Sequence, residues 1–121
     1  MRRKIKTTNV SLSQNVEEYL DKRLEAIEKL VDPENPTLLV EVELGKTTKH
    51  HQSGDIFRAE LNLTIDGNSF RAVSEKGDLN SAIDEMRDEI INELRSYKGK
   101  RQSLVKRSGA RIKALLRKFY K

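Results

Sequence analysis

The sequence predicts an α+β fold: a β-α-β-β-β-α two-layer sandwich, with a four-stranded sheet and two roughly parallel helices on one face. Three observations predict it. Two segments carry apolar residues at steps of three and four, the mark of a helix with one buried stripe. Other segments alternate apolar with polar residues, as strands do when one sheet face is packed and the other wet. Proline and glycine clusters separate these runs at spacings that suit turns.

Residues 3–8 read as the first strand, with Ile5 and Thr7 on one face. Ser13 is placed to cap a helix over 14–31, whose stripe is Val16, Leu20, Leu24, Ile27 and Val31. The run from Asp32 to Pro36 holds two prolines and stops it. The second strand carries Leu38, Val40, Val42 and Leu44 in phase. The third carries Phe57, Ala59, Leu61, Leu63 and Ile65, and the fourth, near Ser69 to Ser74, carries Phe70 and Ala72. A longer loop is expected from Gly45 to Asp55, and Asp66-Gly67-Asn68 signals a tight hairpin. Asp78 caps a second helix over 79 to about 97, with Leu79, Ala82, Ile83, Met86, Ile90, Leu94 and Tyr97 as its stripe.

Alternating directions along this order run both helices the same way. At about 100° per residue, Lys22, Arg23 and Lys29 share one flank of the first helix, and Glu17, Asp21 and Glu28 the other. On the second helix Arg87, Arg95 and Lys98 share a flank, opposite Glu85, Glu89 and Glu93. The two basic flanks have opposite hands, so like charges either face one another across a groove or both face outward. Strand order decides which.

Charge is divided along the chain. From Arg95 onward there are eleven Lys or Arg and no Asp or Glu, whereas the first 94 residues hold thirteen basic and nineteen acidic residues, and the total is +5. The division at this level is a body over 1–100 and a basic tail over 101–121. The tail's reading as a helix or as a disordered chain stays open: Leu104 or Val105, Ile112, Leu115 or Leu116, and Phe119 fall near helical spacing, interrupted by Gly109. Such a segment suits a polyanion, be it RNA or an anionic membrane surface.

Several chemistries are disfavoured. With no cysteine, thiol nucleophiles, zinc ribbons and disulfides are out, and a reducing cytoplasm fits. No apolar run approaches a membrane span, and no apolar segment follows the basic N-terminus as in a secretory signal. His50 and His51 are adjacent on the long loop beside Lys46 and Lys49, with no other His or Cys to complete a metal site. The Glu85, Glu89 and Glu93 row reads as a solvated stripe rather than an acid–base pair. Arg58 and Arg71, on neighbouring strands, read as cross-strand partners of Glu60 or Glu75 at least as readily as RNA contacts. No phosphate loop, Ser-His-Asp pattern or HExxH motif occurs. A binding protein without enzymatic activity, cofactor or small-molecule substrate is expected.

Residues 54–100 resemble the ribosome hibernation-promoting factors, also called ribosome-associated translation inhibitors. The resemblance rests on Gly54 and Phe57 opening a strand pair and on Arg71-Ala72-Val73-Ser74-Glu75 closing it. It rests also on Asp78-Leu79-Asn80-Ser81-Ala82-Ile83-Asp84 opening the last helix, and on Lys22-Arg23 and Lys29 in the first. It covers residues 3–100 and implies a short form with a fold like that of double-stranded-RNA-binding domains. It also implies binding to 16S rRNA of the small ribosomal subunit, occlusion of the mRNA and tRNA channel, and a cytoplasmic role in stress. The chain departs from the family at Asn80, Glu89, Glu93 and Ser96, where relatives carry an aromatic residue, Lys, Gln and Lys. Lys22, Arg23, Lys29, Arg87, Arg95, Lys98, Lys100, Arg101, Lys106, Arg107 and Arg111 are therefore the expected RNA contacts. The alternative is a general RNA-coating or anionic-membrane-surface protein that acts through the tail.

Overall fold

The structure, a computed structural model, describes residues 1–48 and 54–108, with side chains through residue 100. The elements follow the expected order: β1 (Arg2–Thr8), α1 (Gln14–Glu28), β2 (Leu39–Thr48), β3 (Asp55–Ile65), β4 (Asn68–Lys76) and α2 (Leu79–Ser108). The sheet order is β1-β2-β3-β4. β1 pairs with β2 in parallel, and the remaining neighbours are antiparallel. A parallel neighbour needs a crossover, which α1 provides. Both helices therefore run back against the direction of β1, β2 and β4.

Each helix begins where a short polar side chain can satisfy its free amides. Ser13 Oγ accepts from the Val16 amide at 3.2 Å. Asp78 accepts from both the amide and the hydroxyl of Ser81, each at 2.8 Å, and these bonds hold its carboxyl below the usual range. The hairpin between β3 and β4 turns on Asp66 and Gly67, with φ of 48° and 80°. Two consecutive positive φ values make a type I′ turn, whose twist matches the strands it joins.

The core is one cluster between the helices and one sheet face. Leu20, Leu24 and Ile27 of α1 and Ala82, Ile83, Met86, Ile90 and Leu94 of α2 cover the inward residues of β2, β3 and β4. The opposite face is open. There Glu60 gathers both strand arginines: Arg71 Nε donates to Oε1 at 2.8 Å, and Arg58 Nη2 lies 3.4 Å away. Glu75 faces Arg58 in the register, but it is Glu60 that Arg58 engages. Arg71, then Arg58, keep the Glu60 carboxyl below its ordinary value against the opposing effect of partial burial.

Three boundaries differ from the sequence reading. α1 ends at Glu28 with Lys29 as its C-cap, although Val31 is fully buried beyond it. The Asp32 carboxylate accepts from the Glu34 amide and starts the turn that the prolines fix. β2 and β3 extend into the expected loop, because Thr47 and Thr48 pair with Ile56 and Asp55. The Thr48 hydroxyl donates to Asp55 at 2.9 Å, and Lys46 lies 3.5 Å from the same carboxylate. Finally, α2 continues to Ser108 rather than stopping near 97. Nothing in 98–108 breaks a helix except Gly99, which costs about 1 kcal/mol relative to Ala. The histidine pair and Lys49 lie outside the described residues.

Candidate nucleic-acid interface

Strand order resolves the geometry of the charged flanks. Tyr19 and Arg23, four residues apart on α1, reach across to Asp84 on α2. The Tyr19 hydroxyl donates to Asp84 Oδ1 at 2.7 Å, and Arg23 Nε sits 2.9 Å from the same oxygen. Arg23 also donates to the Tyr19 hydroxyl at 3.0 Å and stacks over its ring, 4.8 Å from the centroid. The Tyr19 contact, followed by the charges of Asp84 and Asp88, raises the Arg23 pKa above its ordinary value, so the guanidinium stays charged.

This clasp lies between the helices, so the flank bearing Arg23 faces the flank bearing Asp84. At 100° per residue that α2 flank also bears Arg87, Arg95 and Lys98. The basic flanks therefore face each other across the groove between the helices. Arg87 is partly buried and ion-paired with Asp88 at 2.7 Å. Lys22 and Lys29 are exposed along the crest of α1, and Arg95 is exposed on α2. Lys29, the C-cap of α1, lies six residues beyond Arg23, toward the end of the groove where Arg95 and Lys98 stand on the parallel neighbour. Acids occupy the groove near Asp84 and Asp88, whereas the end toward Lys29, Arg95 and Lys98 carries cations.

The acidic flanks face outward. Asp21 turns to β1, where Arg3 pairs with it. Glu85 turns to β4, accepting from the Ser74 hydroxyl and lying 3.4 Å from Lys76 Nζ. The Ser74 bond, then Lys76, depress its pKa. Lys100 belongs to this outer side and not to the groove, for it lines a cleft with Ser69, Phe70, Glu93 and Tyr97. Arg101, Lys106 and Arg107 lie on the backbone continuation of α2 past residue 100, and Arg111 lies outside the described residues.

Sequence reasoning missed Tyr19 and Asp84 as the pair that orients the interface. A Tyr and an Arg at i, i+4, one step off an apolar stripe, were the available signal. Among the described residues no group of three His, Cys, Asp or Glu side chains is arranged to hold a metal ion, and no helix is long and apolar enough to cross a membrane.

A model of the sigma 54 modulation protein / S30EA ribosomal protein family matches residues 4–102. The chain belongs to that family. It is thus a ribosome-associated factor of the hibernation and modulation kind. No curated protein matches the sequence. Among solved structures, the chain is similar to the N-terminal domain of Protein Y from Thermus thermophilus. The TM-score is 0.63 and the identity 21%, over 80% of this chain and 99% of that one. It is also similar to a ribosomal subunit interface protein from Coxiella burnetii, with TM-score 0.64 and 17% identity over 82% and 99% of the two chains. At these identities the likeness is one of fold, and it supports the architecture of the S30EA family over most of the chain.

Proposed function

We propose that this S30EA-family chain binds 16S rRNA of the small ribosomal subunit through the groove between α1 and α2. A folded body seated in the mRNA and tRNA path inhibits translation by occlusion, so no chemical step is required. The observation that carries this reading is the set of basic flanks facing one another, with Arg23 locked to Asp84 at their centre. Lys22, Arg23, Lys29, Arg87, Arg95 and Lys98 contact phosphates there, by shape and charge with little base readout.

Residues 1–100 form the ribosome-binding body, and 101–121 add cationic contacts. α2 continues past the body, so Arg101, Lys106 and Arg107 are delivered on a helix, while Lys100 reaches RNA from the outer side and Arg111 from beyond Ser108. The setting is cytoplasmic, as family membership supports.

Sucrose-gradient sedimentation of ribosomes with added protein tests the proposal. Stoichiometric co-migration with the small subunit, competed by tRNA and weakening by orders of magnitude as salt rises, is expected. Indifferent binding to any RNA or to anionic vesicles would instead favour the tail-driven alternative.

A further inference from the structure

The two edges of the sheet are unlike. β1 presents Arg2, Lys4 and Lys6 on its exposed face, and lysines and arginines discourage a further strand. β4, the other edge, has no such row. In the two-residue hairpin Ile65 and Asn68 form the closing pair, so the backbone groups of Asn68, Phe70, Ala72 and Ser74 turn toward β3. Those of Ser69, Arg71, Val73 and Glu75 turn to the outside, and no backbone partner for them occurs among the described residues.

Beside this edge, on the helix side, lies a cleft of about 490 Å³ lined by Ser69, Phe70, Asn92, Glu93, Ser96, Tyr97 and Lys100. Its floor is ordered. The Phe70 and Tyr97 rings meet edge to face at 5.2 Å, and the Tyr97 hydroxyl donates to Asn68 Oδ1 at 3.2 Å. The wall above it is the outer flank of α2, with Glu85 touching Ser74 at one end, Glu93 in the cleft at the other, and Glu89 exposed between them. Lys76 and Lys100 are the cations on this side.

The geometry points to the β4 edge as a docking site for an extended, lysine- or arginine-rich segment of a partner protein. That segment adds as a fifth strand. Backbone bonds to Ser69, Arg71, Val73 and Glu75 hold it, alternate side chains enter the Phe70–Tyr97 cleft, and its cations meet Glu85, Glu89 and Glu93. Charge decides the occupant. A two-fold pairing of β4 with β4 of a second copy would set two glutamate rows against each other, which disfavours it. An RNA strand would meet the same row as repulsion. The surface lies on the side of α2 away from the proposed RNA groove, and the two ligands share only Lys100, at the far end of the cleft.

The test uses the full chain and a ten-residue peptide alternating lysine with valine, followed by amide hydrogen exchange and fluorescence anisotropy. Peptide binding should slow exchange at Ser69, Arg71, Val73 and Glu75. Affinity should fall roughly tenfold in the E85Q/E89Q/E93Q variant, as three solvent-accessible charge contacts are lost, that of half-buried Glu85 shared with Lys76, and should be unchanged in the groove variant Lys22→Glu. A control peptide with glutamate in place of lysine should not bind. Three results would overturn the assignment. One is binding that leaves the β4 amides unprotected. Another is binding indifferent to the three glutamates. The third is protection of those amides in the free chain, which would mean that residues 109–121 or a second copy already covers the β4 edge.

Discussion

The two flanks of α2 share one backbone and one buried stripe, yet they carry opposite chemistry. The inner flank faces α1 and holds Arg87, Arg95 and Lys98 around an Arg23–Asp84 clasp. The outer flank runs beside β4 and holds Glu85, Glu89 and Glu93, the first of them tied to Ser74 and Lys76. The sign of charge on an amphipathic helix is therefore not a property of the helix alone. Because α1 covers one side, cations that would otherwise scatter around a free helix are gathered into one groove with Lys22 and Lys29. Glu85, Glu89 and Glu93 are placed where a polyanion in that groove does not meet them, which leaves Asp84 and Asp88 as the acids inside it.

The stripe itself gives the baseline for this comparison. Ile90 is fully buried midway between the flanks, so Ile90→Ala should destabilise the fold by about 2–5 kcal/mol. Urea unfolding followed by circular dichroism measures it. Loss of that size with no preference for either flank's ligands identifies a shared scaffold.

Charge reversal separates the flanks. Lys22→Glu combined with Lys29→Glu should lower small-subunit affinity about 100-fold at low salt, and should reduce the salt slope by roughly one per residue. Both side chains are exposed, so thermal stability should hardly change. Glu89→Lys on the outer flank should leave affinity unchanged or raise it. Equal losses from the two flanks in co-sedimentation would remove the distinction between them.

The clasp is the smaller term that keeps the inner flank aligned. Tyr19→Phe deletes the hydroxyl that donates to Asp84 and accepts from Arg23, at an expected cost of about 1 kcal/mol. A double-mutant cycle with Asp84→Asn should show coupling, since the two share one interaction. Additive effects would mean that the contact does not orient the helices.

How far the sequence carried this picture depends on which residues carried the information. All six elements were legible, because alternation in Leu61, Leu63 and Ile65 and steps of three and four in Leu20, Leu24 and Ile27 are local signals. The caps at Ser13 and Asp78 and the Asp66-Gly67 turn were legible for the same reason. The end of α2 was not, because its continuous stripe stops at Tyr97, and the sparse apolar positions after it, such as Leu104, do not mark where the helix ends. Most of the candidate site residues could be named from their flanks, and the facing of those flanks could not. It rests on the sheet order and on Tyr19 meeting Asp84 across 65 residues of chain, a relation that periodicity within one segment does not contain. Lys100 illustrates the same limit. Its sequence context groups it with Lys98, but two residues along a helix turn it by about 200°, and it lines the outer cleft instead.

Acid titration probes the outer flank with the smallest effect. The Glu85 carboxyl is held below its ordinary value, near 4.5, first by the Ser74 hydroxyl and then by Lys76. A depressed folded-state pKa contributes stability that is fully present above the unfolded value and is lost as pH falls through the folded one. The difference in stability between the parent chain and Glu85→Gln should therefore be constant from neutrality down to about pH 5 and shrink below 4.5. Glu60 behaves likewise on the open sheet face, where Arg71 and then Arg58 depress its pKa, so Glu60→Gln serves as the comparison. Because the Glu85 side chain is more open to solvent than that of Glu60, its step should be the shallower of the two in urea titrations repeated across this range. A Glu85 step as deep as that of Glu60 would mean that the Ser74 contact is more shielded from solvent than its position at the edge of β4 implies. The outer flank would then be a packed seam rather than an open wall.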